Sequence, residues 1–191
     1  MKPTDAGRPP GTVHGLLYSR PANVLVAAMA RANPPAHRLY YRRLPGTAYH
    51  PIGVRDELES QQDAHCCERT PYLIFNEMRF REPRPQSGVL DVVFKGKRPP
   101  PAGWGADWVG IRRVNLETGE DVRVLDEESL RSPPPYTSGW VSQLLGVSSD
   151  GSGAVCVAGL FSGGTGAYFV CELSFRDGVG RLVAELPDVF L

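Results

Sequence analysis

The sequence predicts an all-β protein assembled from antiparallel four-stranded units, and three observations carry that expectation. The first is a hairpin signal near the C-terminus. An apolar run, Leu144–Val147, enters the turn Ser148-Ser149-Asp150-Gly151, and a second run, Ala154–Ala158, leaves it. Gly reaches positive φ without steric cost and Asp bonds its own backbone, so Asp-Gly between apolar runs specifies a tight reversal. The second observation is repetition, because degraded copies of this strand–turn–strand pattern occur twice upstream. The third is composition: 21 Gly and 18 Pro among 191 residues favour short strands joined by many turns. No long apolar pattern of period 3.6 is present, which excludes an all-helical architecture.

Residues 1–11 are Pro-rich, lack the apolar core of a signal peptide, and are expected to form a disordered tail. The first unit covers about 12–55. Its strands are Val13–Ser19 and Val24–Met29 around a turn at Arg20–Asn23, then Arg38–Leu44 after Asn33-Pro34-Pro35. A weak fourth strand, Ala48–Gly53, contains Pro51, which has no N–H to donate and so belongs at a sheet edge.

The second unit covers about 64–126. It runs through Ala64–Glu68, a turn at Arg69–Pro71, and Tyr72–Met78; an insertion, Arg79–Asp107, follows. The unit then resumes with Trp108–Leu116, a turn at Glu117–Glu120, and Asp121–Leu125. The polar segments 56–64 and 126–131 read as helical turns or linkers. The third unit, about 140–187, holds the Asp-Gly hairpin followed by Ala167–Leu173 and Arg181–Leu186.

Four antiparallel strands in about 45 residues have the period of a β-propeller blade, with a β-sandwich as the alternative arrangement. Ser149-Asp150-Gly151 before a strand, and Val114-Asn115-Leu116-Glu117-Thr118-Gly119 between strands, resemble the TolB-type, WD-repeat-like β-propeller superfamily. The resemblance spans roughly residues 12–187 as a single domain of three blades. The third copy matches closely; the first two carry Pro-Ala-Asn and Thr-Pro in place of Asp-Gly. It implies a fold rather than an activity, because propellers host enzymes, scaffolds and receptors alike. Known propellers close with about four to eight blades, so three blades are half a ring or a fragment of one. Two chains related by a two-fold axis would supply six, which makes a homodimer the expected assembly and a piece of a longer propeller its rival.

The formal net charge is zero at pH 7 and the pI is near 6.9, so no global field favours nucleic acid or an anionic membrane. No stretch reaches membrane-spanning length. Cys66 and Cys67 are adjacent and point to opposite faces of a strand, and no Cys-x-x-Cys spacing occurs. With Cys156 and Cys171 they read as small hydrophobes of a reduced, cytoplasmic protein rather than zinc ligands.

The insertion is the most function-like segment. It carries Arg79, Arg81, Arg84, Lys95, Lys97 and Arg98, two tryptophans, Trp104 and Trp108, and an apolar run, Val89–Phe94, suited to an extra strand. Loops on a rigid scaffold carry binding residues, and Trp with Arg anchors interfaces. Arg79, Arg81, Arg84, Trp104 and Trp108 are therefore the candidate binding set. The plainer alternative is that Trp108 starts a core strand and the cations are solvated.

His14 and His65 occupy similar places near the start of an innermost strand, which puts both near a propeller pore. The resemblance implies an alternative through them, a metal-assisted polysaccharide lyase or hydrolase. Gly163-Gly164-Thr165-Gly166 joins two strands and opens no helix, so it is a hairpin loop and not a phosphate cradle. No G-x-S-x-G elbow is present. Alternation separates Arg38, Tyr40 and Arg42 from Leu39, Tyr41 and Arg43, so no face is both basic and aromatic enough for RNA. The expected function is a non-enzymatic protein-interaction or ligand-binding β-propeller module, with no cofactor.

Overall fold

The computed structural model describes residues 11–30, 36–53, 57–81, 105–162, 165–178 and 180–186. Among them are twelve strands and no helix. Sheet 1 contains β1 (Thr12–Ser19), β2 (Val24–Ala30), β3 (His37–Arg43) and β4 (His50–Pro51). Sheet 2 contains β5 (Glu59–Cys66), β6 (Tyr72–Arg81), β7 (Gly105–Asn115) and β8 (Asp121–Leu125). Sheet 3 contains β9 (Ser138–Val147), β10 (Gly153–Ser162), β11 (Thr165–Ser174) and β12 (Gly180–Leu186). Each sheet is ordered as the chain runs, and every neighbouring pair is antiparallel. The expected blade-like sheets are therefore present, with Pro51 in a two-residue edge strand.

The second sheet begins earlier than the residue pattern suggests. Segment 56–64, expected as a helical turn or linker, supplies β5 from Glu59 to Ala64. Ser60 and Gln61 within it are buried. Gln61 Oε1 accepts from the Leu39 N–H at 2.8 Å while its Nε2 donates to the Ile52 carbonyl at 2.6 Å, and Ser60 Oγ accepts from the His37 N–H at 3.0 Å. The strand bonds through its side chains to the neighbouring sheet. Segment 126–131 contains a single turn, in which Ser129 N–H and Oγ–H both reach Asp126 Oδ1, at 2.9 and 2.6 Å. Those bonds hold the Asp126 carboxyl below its ordinary value.

The β6–β7 ladder reaches into both ends of the expected insertion, pairing Arg81 with Gly105. Residues 82–104, with Arg84, Lys95, Lys97, Arg98, Trp104 and the run Val89–Phe94, lie outside the described residues.

Two turns behave as their residues dictate. In the Asn115–Gly119 turn, Asn115 Oδ1 accepts from the N–H of Glu117 at 2.9 Å and of Thr118 at 3.2 Å, and Gly119 takes φ +78°. In the β9–β10 turn, Asp150 Oδ1 accepts from Ser148 Oγ, Ser152 N and Ser152 Oγ at 2.8, 3.0 and 2.7 Å. Bonds from Ser152 and Ser148 bring the Asp150 carboxyl down to about 2.

Sheet 2 is covered on both faces. Leu73, Phe75, Val114 and Leu116 pack against Val24, Val26 and Leu39 of sheet 1. On the other face Ile74, Ile111 and Leu125 pack against Leu144, Cys156, Phe169 and Leu173 of sheet 3. The whole stretch Leu73–Glu77 of β6 is consequently buried, as expected for a strand with both faces covered. Between sheets 1 and 2, Glu77 and Arg112 are buried as well, at 2% and 2% exposure. Arg112 donates through Nε to Asp121 Oδ1 at 2.9 Å and lies 3.6 Å from Glu77 Oε2, which also accepts from Arg123 at 3.0 Å. Removing one member of such a network strands a buried charge, so Glu77→Ala is expected to lower unfolding free energy by about 3–5 kcal/mol. Urea titration followed by tryptophan fluorescence measures this.

The β9–β10 turn docks on sheet 2. Arg69 N–H donates to the Ser149 carbonyl at 2.9 Å, and Thr70 Oγ donates to the Asp150 carbonyl at 3.3 Å. Gly151 has φ +78°, and a Cβ there would sit 3.1 Å from Tyr72 and 3.2 Å from Cys67. Conformation and space both demand Gly. Gly151→Ala is expected to cost about 1–3 kcal/mol, read as a lower thermal midpoint in calorimetry.

Candidate functional site

The first strands of the three sheets converge on β5, and polar side chains gather there. A β-bulge between Gln62 and His65 breaks the β5–β6 register, and within it Asp63 adopts φ +50°. Asp tolerates this left-handed conformation better than most residues, and the bulge re-aims its side chain. Asp63 Oδ2 accepts from the Leu144 N–H of β9 at 3.1 Å, and His65 Nε2 lies 3.3 Å from the Leu144 carbonyl. Both polar groups of one β9 peptide position are thus held by β5 side chains. Asn76 extends this seam, donating from Nδ2 to the Val141 carbonyl at 3.3 Å while Oδ1 accepts from Trp108 Nε1 at 2.8 Å.

On the sheet 1 side, a crevice of about 260 Å³ is lined by His14, His37, Gln62 and Asp63. The His14 and His37 rings stack with centroids 4.8 Å apart and planes 19° from parallel. Burial, then the neighbouring His14, lowers the His37 pKa against an upward pull from Asp63. Burial raises the Asp63 pKa against the Leu144 N–H, His65 and Asn76. The crevice thus gathers two imidazoles and a carboxyl group, with the proton affinity of His37 lowered and that of Asp63 raised.

A second concavity lies at the rim where sheet 2 meets the ends of β9 and β10, and it reaches the face of sheet 3 turned away from sheet 2. A groove of about 410 Å³ is lined by Met78, Trp108, Trp140 and Phe161, with Asp107 and Glu127. Trp140 stacks on Phe161 with centroids 4.6 Å apart and meets Tyr168 edge-on at 6.1 Å. The flat seat exists because Gly159 faces Trp140: a Cβ there would lie 2.8 Å from Trp140 Cζ2.

The sequence-derived binding set is divided by this arrangement. Arg79 and Arg81 alternate to the opposite face of β6 from Met78, which is paired with Trp108. Arg81 forms an ion pair with Asp107, and Arg79 lies in register with the same residue. Trp108 is half-buried, packs against the core between sheets 2 and 3, and is tethered by Asn76. It combines the core role with a place in the groove. Arg84 and Trp104 lie outside the described residues.

The two histidines assigned to a pore metal are engaged separately: His14 stacks on His37, and His65 meets the Leu144 backbone. Among the described residues, no three His, Cys, Asp or Glu side chains converge in a metal-sized cluster. Gln61, Asp63, His37, Trp140 and Phe161 were not legible as site residues. Their one sequence signal was polarity, or aromaticity, and Gln61 and Asp63 fall in the segment read as a helical turn or linker.

Comparison with known proteins finds no family model that matches the chain and no curated protein that matches it.

The His37 shift has a defined sign. Its folded-state pKa lies below the unfolded value of about 6.5, so its contribution is present above that value and lost as pH falls toward the folded pKa. Asp63 runs oppositely: its raised pKa adds stability as pH falls through the folded value toward the unfolded one. Unfolding free energy is therefore expected to drop on acidification from pH 7.5 just past 6.5, and to drop less in His37→Gln. Urea titrations across that interval compare the two.

Proposed function

We propose that this chain is a non-enzymatic interaction module of the β-propeller type, acting in the cytoplasm, and that the outer face of sheet 3 is its docking surface. The supporting observation is that this face is open and carries a run of apolar residues, with Gln143 and the Glu172–Arg181 ion pair beside them. Ala154, Cys156, Ala158 and Leu160 of β10 are buried toward sheet 2, so Val155, Val157, Gly159 and Phe161 face the other way. Across β11 the same face carries Tyr168 and Val170. Val155 is 38% exposed, Leu145 46% and Val183 56%. A face of this kind marks an interaction site, because monomers rarely leave large contiguous apolar patches in water.

Its occupant is a second copy of the chain. Sheet 1 also leaves apolar residues uncovered, with Leu16 58% and Tyr18 53% exposed on β1, on the side away from sheet 2. Sheet 3 of one copy against sheet 1 of the other, applied twice by a two-fold axis, covers both surfaces and closes six sheets. The packing repeats what joins sheets 2 and 3 within the chain. The groove at Trp108 and Trp140 then opens beside the joint and suits a small or extended ligand.

Light scattering at micromolar concentration tests this. A mass of about twice 20.9 kDa is expected. Val155→Glu, which puts a charge in the interface and leaves the core side of β10 unchanged, should return a folded monomer. A wild-type monomer that melts cooperatively overturns the proposal.

A further inference from the structure

Cys156 and Cys171 face one another directly across β10 and β11. Both are free thiols, buried in the core between sheets 2 and 3 at 0% and 2% exposure. Directly opposed residues of an antiparallel pair have Cα atoms about 4.5–5.5 Å apart, within the about 4.4–6.8 Å that a disulfide spans. The two sulfurs are hydrogen-bonded, and Cys171 Sγ also lies 3.9 Å from the Phe169 carbonyl. The bond from Cys156 lowers the Cys171 pKa, while the same bond and burial push the Cys156 thiol up. Of the two, Cys171 gives up its proton more readily, which orders the exchange with Cys171 attacking first and Cys156 resolving.

The remaining cysteines are arranged differently. Cys66 and Cys67 are consecutive and belong to different cores, Cys66 against sheet 1 and Cys67 against sheet 3. Burial pushes the Cys66 thiol up to about 12. No directly opposed partner of this kind serves either one among the described pairings.

We propose that Cys156 and Cys171 form an internal dithiol–disulfide couple that staples β10 to β11 under oxidising conditions. With a small disulfide such as oxidised glutathione, the Cys171 thiolate attacks one sulfur, forming a mixed disulfide and releasing one glutathione thiolate. Cys156 then loses its proton and attacks the Cys171 sulfur, releasing the second glutathione. Two protein thiols are oxidised and one glutathione disulfide is reduced to two thiols. Burial of the pair means that exchange proceeds through local opening of sheet 3 or during folding. The closed loop includes the β10–β11 connection, so the cross-link restricts the unfolded chain. The couple lies on the core side of sheet 3 and does not depend on what covers the outer face.

The test refolds the full chain across a glutathione redox series, blocks free thiols with iodoacetamide, and maps the cysteines by mass spectrometry. Under oxidising conditions a Cys156–Cys171 cross-linked peptide is expected, with Cys66 and Cys67 alkylated. The urea midpoint should be higher for oxidised than for reduced protein, and Cys156→Ala and Cys171→Ala should each abolish that difference. If either variant fails to fold, a Cys66→Ala, Cys67→Ala double variant carries the same readout with only the proposed pair present. Four alkylated cysteines throughout the series, or a cross-link from Cys67 to either partner, overturns the proposal.

Discussion

Everything in this structure depends on sheet 2 being bonded and packed on both sides, and β5 is where that dependence concentrates. Apolar contacts alone would let three twisted sheets slide, since hydrophobic attraction carries no direction. Directional bonds prevent it. Ser60 and Gln61 reach the β3 backbone, and Asp63 and His65 reach the β9 backbone. A single polar strand thus sets the position of both neighbours. The apolar faces of β6 and β7 then supply most of the burial energy.

This arrangement carries a consequence for the polar groups themselves. Gln61 is buried and uses both ends of its amide, and Glu77 and Arg112 are buried in a connected ionic network. Satisfied buried polar groups specify one packing, and half-satisfied ones are costly. The sheets are therefore held in register as well as together. Asp63 is the sharpest instance: its left-handed backbone persists because the bulge and the Leu144 N–H both demand it.

The outer surfaces follow from the same count of faces. A stack of three sheets has two faces with no internal neighbour, and here both carry exposed Leu, Val or Tyr. The groove beside the sheet 2–sheet 3 joint adds an aromatic seat built on Gly159. His14 is stacked on His37, and His65 lies against the Leu144 backbone. The polar centre holds the sheets, and the exposed apolar side chains lie at the periphery.

What the sequence determined by itself was local. Asp150-Gly151, the Asn115–Gly119 turn and Pro51 each act through their own backbone or their nearest neighbours, so the hairpins and the edge strand were legible. Apolar alternation likewise announced β2, β6 and β10. The first half of β5 was not legible, because a strand of Glu-Ser-Gln-Gln-Asp looks solvated until the carbonyls and N–H groups of other sheets are beside it. The faces taken by the described members of the candidate binding set were hidden for a similar reason: pairing in β6 and β7 sends Arg79 and Arg81 to one face and Trp108 to the other. Trp140, 32 residues beyond Trp108 in the chain, lines the same groove. Tertiary structure alone decided which distant residues meet, because side-chain bonds between sheets and the parity of strand register carry no signature in local sequence.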